Sequence, residues 1–584
     1  MTALKWFFSF LKKHRTRIAL GLLLVTICSA LAIVNPYISG IIVDDVIGGG
    51  AYELVGKLVA LLLLTTLLRS VTRYLYLYCF ESASQRVLFD MRDHVFRRLM
   101  GEDFTFYNKN RTGDLMSRLT GDMDAIRHFV AATIYLIYES ILLFSFAFVM
   151  IVTIEWRLAL CIVIFLPFTV ITAKKQLKAI APAFANIRQR FSSLNTFVQE
   201  NVSGNRVVKA FAKEDYEIEK FNKENDAYME AQLTSTAMWR KYVPIFEFLS
   251  SLLTVILYLV GGIMVVQGNM SLGKLVTVSG YLWMLNDPLR SVGWRGNDVQ
   301  NFATSCKKIY TTITAQPNIT EPARPYVKKK LRGRVEFRNV DYAANNDVIL
   351  HDINFKVNPG QTVGIIGATG SGKSTLMNLL CRFYDVTGGE ILIDSMNVKK
   401  YNLYSLRDNI GMAMQDVFLF SDTIEGNIAY GKPNATFEEV KHAAVISDAD
   451  GFIMKMPDQY DTIIGERGVG LSGGQRQRIS LARALLKDPS IVILDDTTSA
   501  VDMETESHIQ DSLHSIGERT VFIIAHRISS IRDADLILVM DEGRICESGT
   551  HEELLEKKGY YYTVFNHQYG EFDKIQAQKK GGTP

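Results

Sequence analysis

Cysteine is scarce in this sequence and never clustered. Six occur in 584 residues, Cys28, Cys79, Cys161, Cys306, Cys381 and Cys546, and none forms a C-x-x-C pair. That scatter argues against a disulfide framework and against a zinc site, and it fits reduced thiols in membrane or cytosol. Charge of one sign is also lacking. Lys and Arg number 64 against 61 Asp and Glu, a formal net charge of +3. Nothing in this balance points to a nucleic-acid partner. Long apolar runs are missing from the C-terminal half, which reads like a soluble α/β protein, whereas they fill the N-terminal half. A chain of this length exceeds one domain.

The apolar runs are long enough to cross a bilayer, which needs about 20 residues. Six spans are expected, near 18–42, 56–80, 129–153, 158–173, 243–267 and 274–294; the fourth contains Pro167. The basic residues Lys12, Lys13, Arg15 and Arg17 before the first run suggest a signal peptide, but the run is too long for one and more spans follow. Ahead of it, "LKWFFSFLKK" is expected to lie on the membrane surface with Trp6, Phe7, Phe10 and Leu11 inward. Connections after spans one, three and five are brief. Those after spans two and four are long and basic, which marks them and both termini as cytoplasmic. Their helical character implies that spans two to five continue well beyond the bilayer, and the C-terminal half is the candidate to receive their turns. Arg69 and Arg73 lie on one face of the second span. Either they meet anionic groups of a cargo, or they snorkel or pair with another span; the second reading is favoured. Trp283, Trp294 and Arg295, in or just beyond the last span, are open to cavity lining or interface anchoring.

After the Pro- and Lys-rich stretch "TAQPNITEPARPYVKKKLRG" come strand-like segments, and "QTVGIIG" runs into "GATGSGKST". This is G-x-x-x-x-G-K-S from Gly367 to Ser374, between a strand and an apolar helix, the context that identifies a phosphate-binding loop. Gly367, Thr369, Gly370, Ser371, Gly372 and Thr375 belong to a loop whose backbone N–H groups converge on phosphate oxygens at a helix N-terminus. Lys373 reaches the β and γ phosphates, and Ser374 can ligate Mg²⁺. Downstream, "IVILDDTTSAVD" (491–502) is an apolar strand ending in two acids. Asp495 matches the acid that holds Mg²⁺ in such folds, and Asp496 sits where a water-polarising acid acts.

Between these motifs lies "LSGGQRQR", and here the sequence resembles the ATP-binding cassette transporters, specifically the exporter-type half-transporters. Leu471, Ser472, Gly473, Gly474 and Gln475 form that family's signature. Gln415 fits its Q-loop, also as a metal ligand, "SAVD" ending at Asp502 its D-loop, and His526 its switch histidine. The membrane half resembles the family in "FYNKNRTGDLMSRLTGDMD" and "ENVSGNRVVKAFAKED". The resemblance implies an all-α membrane domain of six transmembrane helices with the exporter (type IV) fold, fused to an α/β P-loop NTPase. Expected boundaries are 1–310 for the membrane domain, 311–329 for a linker, 330–568 for the cassette and 569–584 for a disordered tail. It further implies ATP and Mg²⁺ as cofactors, ATP hydrolysis coupled to export of amphiphilic drugs, lipids or peptides, and a multi-pass protein of the bacterial plasma membrane with its ATPase in the cytoplasm. Two cassettes pair head to tail in this family, each ATP lying between one phosphate loop and the other signature.

Two departures stand out. The family has Glu where this chain has Asp496, and a carboxylate one methylene shorter falls about 1 Å short, a misplacement worth roughly 10²-fold in rate. A degenerate ATP site follows, and with it a non-identical partner carrying the Glu. A slow homodimer, an importer of a metal chelate, and a nucleotide-gated regulatory subunit stay open as alternatives. The second departure is Ala344, where the family stacks an aromatic on adenine; Tyr342, two residues earlier, either substitutes or stacking is lost. No protease domain of the kind some peptide exporters carry is expected before the first span.

Overall fold

A computed structural model describes residues 2–344, 347–465, 468, 470–497, 503–515 and 517–569. The chain forms two units. One comprises the chain up to Gly101 together with Asn110–Ala315, the other Glu102–Lys109 and the chain from Gln316 onward.

The first unit is helical: α1 (Ala3–Lys13), α2 (Arg15–Ile41), α3 (Val55–Met100), then, beyond α4 (Phe104–Lys109) of the second unit, α5 (Thr112–Leu119), α6 (Gly121–His128), α7 (Ile134–Ile154), α8 (Trp156–Ser203), α9 (Asn205–Ala210), α10 (Glu214–Val266) and α11 (Leu272–Ile313). Helices α3, α8 and α10 hold 46, 48 and 53 residues. At 1.5 Å per residue each is about 70–80 Å long, more than twice the hydrocarbon core of a bilayer. The apolar part of each therefore ends well before the helix does.

Five helical stretches are long and apolar enough to cross a membrane: Arg15–Gly48, Tyr52–Met100, Thr112–Ile154, Trp156–Gln176 and Glu214–Val266. The sixth expected span, 274–294, falls on α11, which does not meet that standard among the described residues. Its sequence is diluted by Lys274, Asp287 and several small residues because it packs against protein. Tyr281 donates to the Ile33 carbonyl of α2 at 2.9 Å, and Asp44 accepts from Ser271 Oγ (2.5 Å) and the Gly273 N–H (2.6 Å). The N-terminal helix corrects an expectation. Its inward face meets protein rather than lipid: Trp6, Phe7 and Phe10 are buried, with the Phe7 ring 4.8 Å from Phe302 and Trp6 6.1 Å from Tyr310.

The second unit carries ten strands: β1 (Val335–Ala344), β2 (Asp347–Val357), β3 (Thr362–Gly367), β4 (Gly388–Ile393), β5 (Met396–Asn397), β6 (Ile410–Ala413), β7 (Ile491–Asp495), β8 (Thr520–Ile524), β9 (Leu536–Asp541) and β10 (Arg544–Gly549). One sheet is antiparallel in the order β2-β1-β4-β5; the other runs β10-β9-β3-β8-β7-β6 and is parallel from β9 to β6. Strands β3 and β7 are apolar and buried almost throughout, as strands covered on both faces of a parallel sheet must be. Because β3, β7 and β8 run the same way, their C-terminal ends open on one edge, where ligands of such sheets bind.

Of the expected linker, 311–315 belong to the first unit, 311–313 within α11, and 316–329 belong to the second. Asp103 accepts from the Asn318 N–H at 2.5 Å, the Tyr326 carbonyl accepts from the Asn402 N–H at 2.9 Å, and Lys328 pairs with Asp394 at 2.7 Å. Helix α4 belongs here too: the Phe104 ring lies 4.6 Å from Phe383, and Asn108 donates to the Tyr384 hydroxyl at 3.0 Å.

Candidate functional site

The phosphate loop leaves β3 at Gly367 and enters the helix Lys373–Leu380. Gly370 and Gly372 hold φ of +85° and +96°, the left-handed region that side chains resist. A Cβ on Gly372 would also come within 2.6 Å of the Leu350 side chain, so only glycine lets β2 close on the loop. Lys373 is buried and folds back, its Nζ donating to the carbonyls of Gly367 (2.9 Å) and Ala368 (2.8 Å). Thr369 and Gly370 are exposed at the crest, and Thr375 is half-buried in the first helical turn. Ser371 is buried and its hydroxyl finds no partner within the described residues. A buried polar atom left open beside a cradle of N–H groups fits a phosphate oxygen.

Asp495 ends β7 and is buried, with the Ser374 hydroxyl beside its carboxylate. Burial raises the Asp495 carboxyl above the usual carboxylate range and neighbouring Asp496 adds to this, while Ser374, Lys373 and His526 pull the other way. Burial likewise lowers the Lys373 ammonium below its ordinary range, with Asp495 and Asp496 opposing. Both shifts mark charged groups held partly out of water and short of counter-charge. No three His, Cys, Asp or Glu side chains gather as a metal site among the described residues. Mg²⁺ takes one or two protein ligands and completes its shell with water and substrate phosphates, and the adjacent Ser374 and Asp495 fit that role.

Asp496 leaves the strand at φ +51°, a left-handed conformation that Asp tolerates better than most residues. Contacts from three neighbours help to hold it. Its N–H donates to the Ile524 carbonyl at 3.0 Å, Gln415 Nε2 donates to its carboxylate at 3.3 Å, and Gln477 Nε2 donates to its carbonyl at 3.2 Å. Gln415 reaches it from just beyond β6. His526 follows β8, is exposed, and lies within electrostatic reach of Asp495; its carbonyl accepts from Gln568 at 2.8 Å. The sequence named Lys373, Ser374, Asp495, Asp496, Gln415 and His526 as site residues, and they lie together on one sheet edge. It missed Gln477, whose only signal was its position one turn inside the helix that follows the signature.

The signature forms the start of helix Gly473–Leu486. Ser472 caps it, its Oγ accepting from the Gln475 N–H (3.2 Å) while Gln475 Oε1 accepts from the Ser472 N–H (2.9 Å). Gly474 is buried, Leu471 packs at the edge of the core beside it, and Ser472 is exposed. The first turn of this helix faces Gln415–Phe418 across an open groove. Asp502 lies outside the described residues. Tyr342 corrects an expectation: only 8% of it is exposed, in the core, with its ring 5.7 Å from Tyr384. It offers no free face to a base, and Ala344 beyond it is too small to supply one.

A phosphate loop, a strand-end acid and a capped glycine helix on one sheet edge define a P-loop ATPase cassette, here joined in one chain to a membrane-crossing helical unit. Residues 18–289 match the family model for the ABC transporter transmembrane region, and residues 350–499 match the family model for the ABC transporter. The chain is 38% identical over 565 residues to the uncharacterized ABC transporter ATP-binding protein YknU of Bacillus subtilis (strain 168), covering 96% of this chain and 97% of that one. It is 33% identical to the putative multidrug export ATP-binding/permease protein YgaD of the same organism, covering 97% and 100%. It is 34% identical to the ATP-dependent lipid A-core flippase of Syntrophus aciditrophicus (strain SB), covering 97% and 94%. A bacterial Atm1-family ABC exporter solved with ATP bound superposes with a TM-score of 0.84 at 28% identity, covering 95% and 98%. The chain belongs to the ABC exporter family, a multi-pass membrane protein that couples ATP hydrolysis to transport.

Proposed function

We propose that this chain is one half of a heterodimeric exporter of amphiphilic molecules, and that its own ATP site holds nucleotide rather than hydrolysing it. The observation that carries this reading is Asp496. Its backbone is anchored on both sides, to Ile524 and to Gln477. The shorter carboxylate therefore has no slack with which to recover the reach of a glutamate, and a general base must come within about 3 Å of the proton it takes. The signature helix keeps its full cap, so it is fit to serve the opposite ATP site, completed there by a partner's phosphate loop and Glu.

Within this chain, Lys373 and the loop N–H groups bind phosphates, Ser374 and Asp495 hold the cation, and Gln415 positions Asp496. Mg²⁺, when bound, neutralises charge on the transferred phosphoryl group. Amphiphilic cargo is supported by the relatives named for multidrug export and for flipping lipid A-core. The basic long connections support a cassette on the cytoplasmic side of the plasma membrane. The test is Mg-ATPase in lipid with the chain alone and with the product of a neighbouring transporter gene. Activity that needs the partner and vanishes when the partner's acid is neutralised is the expected result. Full activity of the chain alone contradicts the reading.

A further inference from the structure

The sheet holds the chain as far as Ala525, whose N–H donates to the Ile365 carbonyl at 3.1 Å. His526 is the first residue beyond that ladder. It is exposed, so packing does not fix its ring, and the main chain that carries the ring decides where it points. One side chain grips that main chain on both sides of Arg527. Gln568 Oε1 accepts from the Ile528 N–H at 3.0 Å, and Gln568 Nε2 donates to the His526 carbonyl at 2.8 Å. A single planar amide thus does what a neighbouring strand would do, oxygen to donor and nitrogen to acceptor. Gln568 sits near the end of a helix over 560–569. Tyr561, Val564 and Phe565 share one face of it and pack in the cluster that contains Ile528 and Ile531. Gln568 continues that face one turn on. The start of the helix is pinned: the Tyr561 hydroxyl bonds His551 Nδ1 at 2.8 Å, and the Tyr561 N–H donates to Glu547 at 3.3 Å. The far end of the His526 segment is tied to another helix, Met503–Ser515. From there Gln510 donates to the Ser530 carbonyl at 3.1 Å, and Glu506 accepts from the Ser530 hydroxyl. Held at both ends, the segment leaves His526 little backbone freedom.

We propose that Gln568 is a positioning residue of the ATP site: acting through the main chain, it aims His526 at the terminal phosphate of bound nucleotide. The last helix of the cassette then takes part in telling a triphosphate from a diphosphate. Such support matters because a displacement of about 1 Å in a group that meets the ligand costs roughly 10²-fold in what that group contributes. The proposal rests on reading His526 as the residue that meets the terminal phosphate, but not on which ATP site hydrolyses.

The test is equilibrium binding of two probes to the full-length assembled transporter in lipid: Mg-adenylyl imidodiphosphate, a triphosphate analogue that resists hydrolysis, and Mg-ADP. A partner subunit's phosphate-loop lysine is replaced by alanine, so that the loop of this chain reports. Gln568→Met keeps the length of the side chain and removes both hydrogen bonds. It is expected to weaken the analogue about 3- to 10-fold and ADP less than about twofold, since ADP lacks the group that His526 meets. His526→Ala is expected to weaken the analogue about tenfold or more. Adding Gln568→Met to it should cost less than about twofold further, because a residue acting through His526 then has nothing left to aim. Gln568 is exposed, so its replacement spares the core. A second measurement needs no nucleotide: hydrogen exchange at the Ile528 amide should quicken about fivefold or more in Gln568→Met, with β8 unchanged. Equal loss for analogue and ADP, no loss for either, additive losses in the double variant, or unchanged exchange at Ile528 overturns the proposal. His526→Ala without loss overturns the reading of His526, and the proposal with it. Because the analogue is not hydrolysed, the ATPase test of heterodimerisation can fail with this result intact, and the reverse.

Discussion

Leu64 in the helical unit and Leu494 in the cassette have the same side chain and opposite surroundings. Leu64 is 59% exposed and its neighbours Leu63 (68%) and Leu67 (63%) are exposed too, whereas Leu494, next to the last residue of β7, is 3% exposed. In the cassette, apolar side chains are driven together by water. In the other unit many face lipid, and the helix contacts bury small and polar residues such as Gly40, Ser84, Thr72 and Thr277 alongside large apolar ones such as Phe80, Met91 and Tyr281. Hydrophobicity therefore reports the core in one unit, and both the core and the outer surface in the other.

The same substitution breaks the comparison most sharply. Leu494→Ala should destabilise the cassette by about 2–5 kcal/mol, the range for emptying a core position. Leu64→Ala should cost under about 1 kcal/mol, since leucine itself contributes only tenths on insertion scales. Thermal unfolding of the two variants in lipid checks this, and equal losses would remove the distinction. A smaller effect is expected at the signature helix. Ser472→Ala removes a cap worth about 1 kcal/mol, while Ser472→Asp should retain most of it. Hydrogen exchange in the first turn of Gly473–Leu486 reads that loss locally.

The smallest effect is electrostatic. The Asp495 carboxyl is raised above its unfolded value, so its favourable contribution is complete below that value and is lost as pH rises through the folded one. Asp495→Asn should accordingly raise the nucleotide-free melting temperature at neutral pH slightly, with the gain vanishing in acid, and should weaken Mg-dependent retention of ATP at this site. A melting temperature that falls at neutral pH would mean that burial is not what dominates at this carboxylate.

Much of the cassette was legible because its chemistry is local in sequence. The loop Gly367–Ser374 and the capping box Ser472–Gln475 are each written in a few consecutive residues, and β7 announces itself as an unbroken apolar run. What was not legible depends on tertiary packing. The inward face of α1 reads the same whether it meets lipid or Phe302, and only the fold decides. Tyr342 could be placed near the nucleotide by counting, but strand alternation turned it into the core. Helix α11 was expected as a plain span, yet its close contact with α2 relaxes the demand for apolar residues.

The central claim is that Asp496 makes this ATP site one that holds. It is tested most directly by the ATPase rate of the assembled transporter with Asp496→Glu in this chain, measured while the partner's site is silenced. Restoring the longer carboxylate should raise the residual rate by about 10²-fold, the scale of a 1 Å placement error. A rate unchanged by that substitution, or a wild-type chain that already hydrolyses at about 1 s⁻¹ or faster in that background, an ordinary enzymatic rate, would contradict it.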